Sequence, residues 1–275
     1  MGAKRVVLAR EMSLQDIATL RDKTPPELEI EAFVHGAMCM AYSGRCLLSS
    51  WLAGRGGNKG ECVQACRWEW QVTATEQSHP DKPVRVEEDD RGTYLFNSRD
   101  LCLLPFLGQA LETGAASFKI EGRMKSAHYV GTVVNAYSRA LNAYFDGSFD
   151  KELTDSLLNE LKKTSHRDFT SGFLFGRNGD KTENLVTSKA VADSGFAASV
   201  AGWEKGVATV QMRNRFGEGD TLEILSANDS FGKTITIKNM TDLSGAHVAD
   251  AKIVQQTLKI PCPYPLEKFD ILRKL

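Results

Sequence analysis

The sequence predicts an α/β domain followed by an all-β domain, and three observations lead there. Up to about residue 163, short apolar runs alternate with stretches whose apolar residues recur every three or four positions, the grammar of strands and helices in alternation. From about residue 188 the apolar period changes to two. Between them lies FGRNGDKTEN, residues 175–184, a polar irregular stretch that reads as a linker. A length of 275 residues fits about two domains, and the expected boundaries are 1–175 and 186–275, with a cysteine-rich segment, 36–102, inserted in the first.

Taken in order, KRVVLA (residues 4–9) is a short strand that stops at Arg10 and Glu11. Ser13 is a good N-cap with Asp16 three residues on; Leu14, Ile17, Ala18 and Leu20 mark one helical face, and Thr24-Pro25-Pro26 ends it. LEIEAFVH (28–35) alternates Leu28, Ile30, Ala32 and Val34 with Glu29, Glu31, Phe33 and His35, which predicts a second strand delivering His35 and Gly36 into the cysteine segment. NSRDLCLLPFLGQALETGA predicts a helix capped by Ser98 and closed at Gly114, with Pro105 in its first turns. ASFKIEGRM is a third strand. Residues 126–145 carry Val130, Val133, Val134, Tyr137, Leu141 and Tyr144 at helical spacing before Gly147, and a further helix starts at Asp150 with Leu153, Leu157, Leu158 and Leu161 on its face.

Charged residues at the C-terminal ends of these strands fit a parallel β/α barrel or a doubly wound sheet, whose chemistry sits at that end. Three parallel strands leave open edges and close no barrel, so this half reads as part of a larger domain or as one covered by a partner. The second half offers FAASVAG, GVATVQM, DTLEIL, KTITIKN, AKIVQQTLKI and FDILRK as short strands of a small β-barrel or sandwich.

Hydrophobic residues make up 42% of the chain, and 34 basic residues against 35 acidic ones leave a net charge of −1. A strongly charged partner must therefore be met by a local patch. MGAKRVVLARE has no secretory-signal pattern and no apolar run approaches a membrane span, so a cytoplasmic protein without a membrane partner is expected. In a reducing compartment, the crowding of Cys39, Cys46, Cys62, Cys66 and Cys102 favours metal over disulfides, with buried free thiols as the bland alternative. Four thiolates suit a [4Fe–4S] cluster, and a four-cysteine zinc site competes. Cys262, in PCPYP, reads as structural. His35, leaving a strand end beside the cysteines, is a candidate proton shuttle or a satisfied structural histidine. Arg10 and Glu11, and Lys119, Glu121, Arg123 and Lys125, fall at the ends of two strands expected to be neighbours; they form a charged site or pair with one another.

HGAMCMAYSGRCLLSSWLAGRGGNKGECVQACRW, followed by EEDDRGTYLFNSRDLC, SFKIEGRMKS and RDFTSGF, resembles the peptidase U32 family of collagenase-like peptidases through most of residues 5–175. The IEGRMKS form is most similar to the branch acting in prephenate-dependent 5-hydroxylation of the tRNA wobble uridine. The resemblance implies the C-terminal part of a TIM-like β/α barrel, with earlier strands lying ahead of KRVVLARE in a longer protein or in a second chain. It further implies a cysteine-bound iron-sulfur cluster on Cys39, Cys46, Cys62 and Cys102, with Cys66 able to replace one of them. Prephenate as cosubstrate would be gripped by Arg123 first and then by Arg45 and Arg67, with Arg10, Lys119 and Lys125 nearby. His35, Glu121 and Arg123 are the implied catalytic set. For tRNA as partner, basic groups occur at Lys162, Lys163, His166 and Arg167, at Arg213 and Arg215, and at Arg273 and Lys274, each equally readable as a solvated face; Trp68 and Trp70 could stack a base or pack a loop. Two other functions remain at this stage. One is a peptidase with Cys39 or Cys46 as nucleophile and His35 as base, although no HExxH or GxSxG motif is present and one nucleophile does not account for five cysteines. The other is a noncatalytic metal-binding scaffold that completes a partner chain.

Overall fold

The computed structural model describes residues 2–39, 42–68, 98–176 and 194–274, with isolated positions 73–74, 77–78, 80 and 84–85 between. The first compact unit comprises Met1–Glu121 with Arg167–Ala190. Its sheet holds β1 (Arg5–Val7), β2 (Glu29–Ala37), β5 (Asp100–Cys102), β6 (Ser117–Glu121) and β7 (Phe169–Thr170); β3 (Thr73–Ala74) and β4 (Val84–Arg85) form a separate antiparallel pair. The expected alternation of β2 is what the fold uses, since Ile30, Ala32 and Val34 are buried. β1 and β6 run parallel to β2 on its two edges, with Val6 opposite Ile30 and Ala32 opposite Phe118. α1 (Leu14–Asp22) has the expected capping box between Ser13 and Asp16, and α2 (Leu48–Ala53) lies within the cysteine segment.

Two expectations for this unit are corrected. The sheet is mixed, because β5 runs antiparallel to β2, with His35 opposite Cys102, and β7 runs parallel to β5. Residues 98–114 are also not one helix. Asp100, Leu101 and Cys102 are all buried against β2, and Pro105 sits in a 3-10 turn before α3 (Leu107–Glu112). A strand buries three consecutive residues that a capped helix would have left partly exposed, and Leu103 N extends the pairing to Val34 O at 2.9 Å.

The second unit joins Gly122–His166 to Val191–Leu275. α4 (Ala127–Asp146) and α5 (Lys151–Lys162) pack on a seven-stranded antiparallel sheet. That sheet is built from β8 (Gly195–Glu204), β9 (Val207–Met212), β11 (Thr221–Leu225), β12 (Thr234–Thr236), β13 (Thr241–Asp242), β15 (Thr257–Pro261) and β16 (Ile271–Lys274), while β10 (Phe216–Gly217) pairs with β14 (Asp250–Ala251). Irregular registers at Val200/Gly202 and Leu272/Arg273 curl the sheet around Val210, Leu222, Ile224, Met240 and Leu258. The run at 251–260 is not one strand: Ile253 and Val254 are exposed, and Gln255, at φ 62°, turns the chain into β15.

The helices join this sheet because the charges of α5 are completed by strands. Arg273 on β16 is fully buried and binds Glu160 and, at 2.8 Å, Glu223; Lys163 binds Glu160 and, at 2.8 Å, Glu223. Gly131 of α4 sits where a Cβ would be 3.4 Å from Ile271 Cδ1, so the helix and β16 lie in close contact. No helix among the described residues is long and apolar enough to cross a membrane.

Candidate functional site

The site is built where β2 ends. Gly36 takes φ 118°, and a Cβ there would lie 2.4 Å from Glu121 O, so only glycine permits this approach of β2 to β6. β1 and β6 are not neighbours as expected, since β2 lies between them. Arg10 spans the gap: its guanidinium lies 4.3 Å over the Phe33 ring and meets Glu121 at 3.2 Å. Lys119 pairs with Glu31 at 3.4 Å. Burial opposes ionisation of Glu31, but hydrogen bonds from Ser117 and Lys119 outweigh it and hold its carboxyl below the usual range. These strand-end charges are thus largely spent on one another. Glu11 accepts the Ser43 N–H at 2.8 Å, tying the end of β1 to the cysteine segment, and its other carboxylate oxygen is buried without a partner among the described residues.

His35 is buried, opposite Cys102 and 5.7 Å from the Phe169 ring. It is placed to orient the strand that leads into the thiols, and bulk solvent does not reach it. Arg45 is exposed, and Arg67 is half-buried and donates to Met38 O at 3.0 Å. Arg123 and Lys125 fall in the second unit; Arg123 is exposed, while Lys125 donates to Ser165 O at 2.8 Å and lies 4.8 Å from the Tyr129 ring centroid.

The thiols gather. Burial pushes the Cys66 thiol up, Arg67 opposes this, and the nearby thiols of Cys39, Cys62 and Cys46 each push it up further. Gln64, in the left-handed region at φ 57°, reverses the chain between Cys62 and Cys66. Cys62 Sγ accepts from Gln64 N at 3.3 Å and from Ser49 Oγ at 3.6 Å, while Ser49 Oγ accepts Val63 N at 3.1 Å. Donors aimed at sulfur are the outer support that a ligating thiolate needs. Cys102, on β5, is buried opposite His35. Among the described residues, no three His, Cys, Asp or Glu side chains are set as they stand to hold a metal ion. The donor set nonetheless fits a four-thiolate group in its chemistry: clustered sulfurs, hydrogen-bond support and adjacent cationic charge. Cys262 is buried in the other unit's core, as a structural cysteine should be.

Arg167 and Asp100 belong to this site and were not singled out for it from the sequence. Arg167 is buried; burial lowers its affinity for a proton first, then the like charge of Arg67, with Asp100 and Cys66 acting the other way. Its N–H binds Asp100 at 3.1 Å and its guanidinium binds Ser98 O at 3.3 Å. The RDFTSGF motif was the available signal.

The basic groups considered for RNA mostly do not form open faces. Besides Arg167, Lys163 and Arg273 are in the ion network of the second unit, Arg215 pairs with Asp250 at 2.7 Å and Lys274 with Asp220 at 2.7 Å. His166 Nδ1 lies 2.8 Å from Thr164 O, while Lys162 and Arg213 are exposed. Trp68 is exposed, and Trp70 lies outside the described residues.

Against known proteins, the family model for peptidase family U32 matches residues 1–184, and that for the peptidase family U32 C-terminal domain matches residues 192–273. Relatives include tRNA hydroxylation protein P of Escherichia coli (strain K12), 33% identical over 97% of this chain and 66% of that protein, and tRNA hydroxylation protein P1 of Bacillus subtilis (strain 168), 33% identical over 99% of this chain and 64% of that protein. A protein named collagenase from Porphyromonas gingivalis (strain ATCC BAA-308 / W83) is 33% identical over 62% of this chain and 42% of that protein. The chain spans just under two thirds of the length of the first two relatives.

Proposed function

Because the chain belongs to peptidase family U32, we propose that it acts in RNA hydroxylation, and more narrowly in prephenate-dependent 5-hydroxylation of the tRNA wobble uridine. The proximity of Cys39, Cys46, Cys62 and Cys66 beyond the end of β2 is the observation that supports this reading, because several neighbouring thiols suit a redox or metal centre and a hydrolytic peptidase has no need of one. Cys39, Cys46, Cys62 and Cys102 would hold a [4Fe–4S] cluster, with Cys66 able to replace one of them; zinc is the competing occupant. When bound, such a cluster would supply electron transfer.

The protein's own residues provide the surroundings. Ser49 Oγ and Gln64 N donate to Cys62 Sγ and fix its orientation. Arg67 and Arg167 place positive charge beside Cys66, which offsets the negative charge of assembled thiolates. Arg10 and Glu121 close the strand ends, and Arg123 is the residue proposed to grip the carboxylates of prephenate. His35 and Glu121 are proposed to hold or move protons there. In the same reading the first unit is the C-terminal part of a TIM-like barrel and the second carries a small β-barrel.

The peptidase reading draws on the relative named collagenase. It calls for a thiol of enhanced acidity, whereas burial makes the Cys66 and Cys262 thiols less acidic. Anaerobically purified protein should be brown, with about four irons per chain; stoichiometric zinc without iron would remove the cluster. Cells lacking the gene and any paralogue should lose 5-hydroxyuridine-derived nucleosides. Unchanged nucleosides together with cysteine-dependent cleavage of a peptide would decide for the peptidase.

A further inference from the structure

The second unit contains a cavity of about 470 Å3 that no part of the thiol site uses. It opens between α4 and the ends of β11 and β16. Its floor is apolar, formed by Val130, Val134, Leu225 and Ile271. Its polar wall is fixed in advance: Asn135 Nδ2 donates to Ser226 O at 2.8 Å, and Arg139 Nε donates to Asn135 Oδ1 at 2.7 Å while its guanidinium stacks 4.0 Å over Phe231. Asp270 enters as a nearly buried carboxyl that accepts the Glu267 N–H at 2.9 Å.

Phe269, which lines the mouth, is the residue that sets this cavity apart. Its backbone lies at φ 79°, where an aromatic side chain is strained by about 1–3 kcal/mol, and yet its ring is 77% exposed. Glycine would satisfy that turn without strain and without leaving an aromatic ring in water. The strain at Phe269 is therefore not offset by burial of its ring. Lys268 places its ammonium 5.0 Å from the ring centroid, so a cation and an open aromatic face stand together at the mouth of an apolar slot with hydrogen-bonding walls.

We infer that this cavity receives an unpaired nucleobase of single-stranded RNA, with Phe269 as the stacking platform, Lys268 meeting the adjoining phosphate, and Asn135, Asn142 and Asp270 facing the edge of the base. Stacking on a side chain with an apolar slot behind it is how single-stranded RNA is held, and a paired base presents no free face to it. The inference rests on the RNA reading above and adds a second point of contact, built wholly from the second unit.

The experiment uses the full chain and an RNA of about ten nucleotides, single-stranded or annealed to its complement, with 4-thiouridine for crosslinking. Single strands should bind, crosslink to the peptide containing Phe269 and compete with tRNA, while the duplex should bind at least tenfold more weakly. Phe269→Gly should weaken single-strand binding about tenfold while leaving the melting temperature unchanged or raised, because glycine relieves the strained turn. Lys268→Met should weaken binding less and reduce its salt dependence by about one phosphate contact. Unaltered affinity in Phe269→Gly, or equal affinity for duplex, would overturn the inference. If deleting the gene abolishes tRNA hydroxylation but Phe269→Gly binds RNA normally, this site fails alone. If nucleosides are unchanged in the deletion while Phe269-dependent binding persists, the site stands and the hydroxylation reading fails.

Discussion

Replacing Arg273 with methionine should be among the most damaging single changes in the second unit. The guanidinium has no solvent exposure and holds two carboxylates, Glu160 on α5 and Glu223 on β11. Without it, Lys163 alone faces both, and the cluster changes from two positive and two negative groups to a net negative one. Breaking a buried pair by removing one member costs about 3–5 kcal/mol, because the remaining charge loses its partner without regaining water. Arg273 Nη1 has no hydrogen-bond partner among the described residues, so part of the guanidinium is already unpaid for and the lower end, about 3 kcal/mol, is expected. Urea denaturation with hydrogen exchange read at β11 and β16 isolates this unit's stability from the rest of the chain. Adding Glu160→Gln to Arg273→Met leaves one cation facing one anion and should recover part of the loss. A loss below about 1 kcal/mol, or single-variant effects that simply add, would refute a coupled network.

Three further outcomes are expected. His128 is buried beside Arg273, and burial first, then that positive charge, pushes it down to about 4 against an ordinary value of 6.5. The unfolded chain takes up this proton below pH 6.5 and the folded chain does not, so stability is retained above that pH and falls by roughly 2–3 kcal/mol as pH drops toward 4; titrated melting curves of His128→Leu should lose that portion of the slope. Gly36→Ala should cost more than about 3 kcal/mol or prevent soluble expression, whereas Gly54→Ala, also at positive φ but with nothing within 4 Å of the added Cβ, should cost about 1 kcal/mol; similar melting temperatures for both would show that β2 and β6 are not held as closely as the structure places them. Serine replacements at Cys39, Cys46, Cys62 and Cys102 should each abolish the visible absorption of anaerobically purified protein, with Cys66→Ser taking the place of one of them where Cys66 is a ligand; Cys262→Ser bleaching it would contradict the assignment.

Where periodicity is strong and local, the fold was legible. Ser13 and Asp16 announced a capping box, Ile30, Ala32 and Val34 announced the buried face of β2, and α4 was legible up to Gly147, although of its expected apolar face Val133 and Tyr137 are buried while Val130 and Val134 are exposed. Residues 100–102 were misread because Ser98 and Gly114 mimic helix ends, while the pairing with β2 that makes them a strand is non-local. The site was legible in its thiols, since clustered cysteines need no tertiary information to be noticed. Arg167 was not, because a basic residue near Lys162, Lys163 and His166 looks like surface until Asp100 and Cys66 are brought beside it.

On the RNA reading, the same distinction bears on where contact would fall. Counting basic residues favoured segments whose charges the fold consumes: Arg167 beside the thiols, Arg273 and Lys163 in the network, Arg215 and Lys274 in surface pairs. With a net charge of −1, contact with a polyanion has to be concentrated. Exposed cations accompanied by exposed aromatic rings occur at Arg45, Arg55 and Lys59, in the segment that carries Tyr42, Trp51 and Trp68, and at Lys268 beside Phe269. On the RNA reading, then, the thiol segment contacts the strand to be modified directly and does not merely support a distant binding face. Charge reversal at Arg45, Arg55 and Lys59 should consequently impair hydroxylation more than reversal at Arg215 and Lys274, whose charge is already neutralised by their pairs.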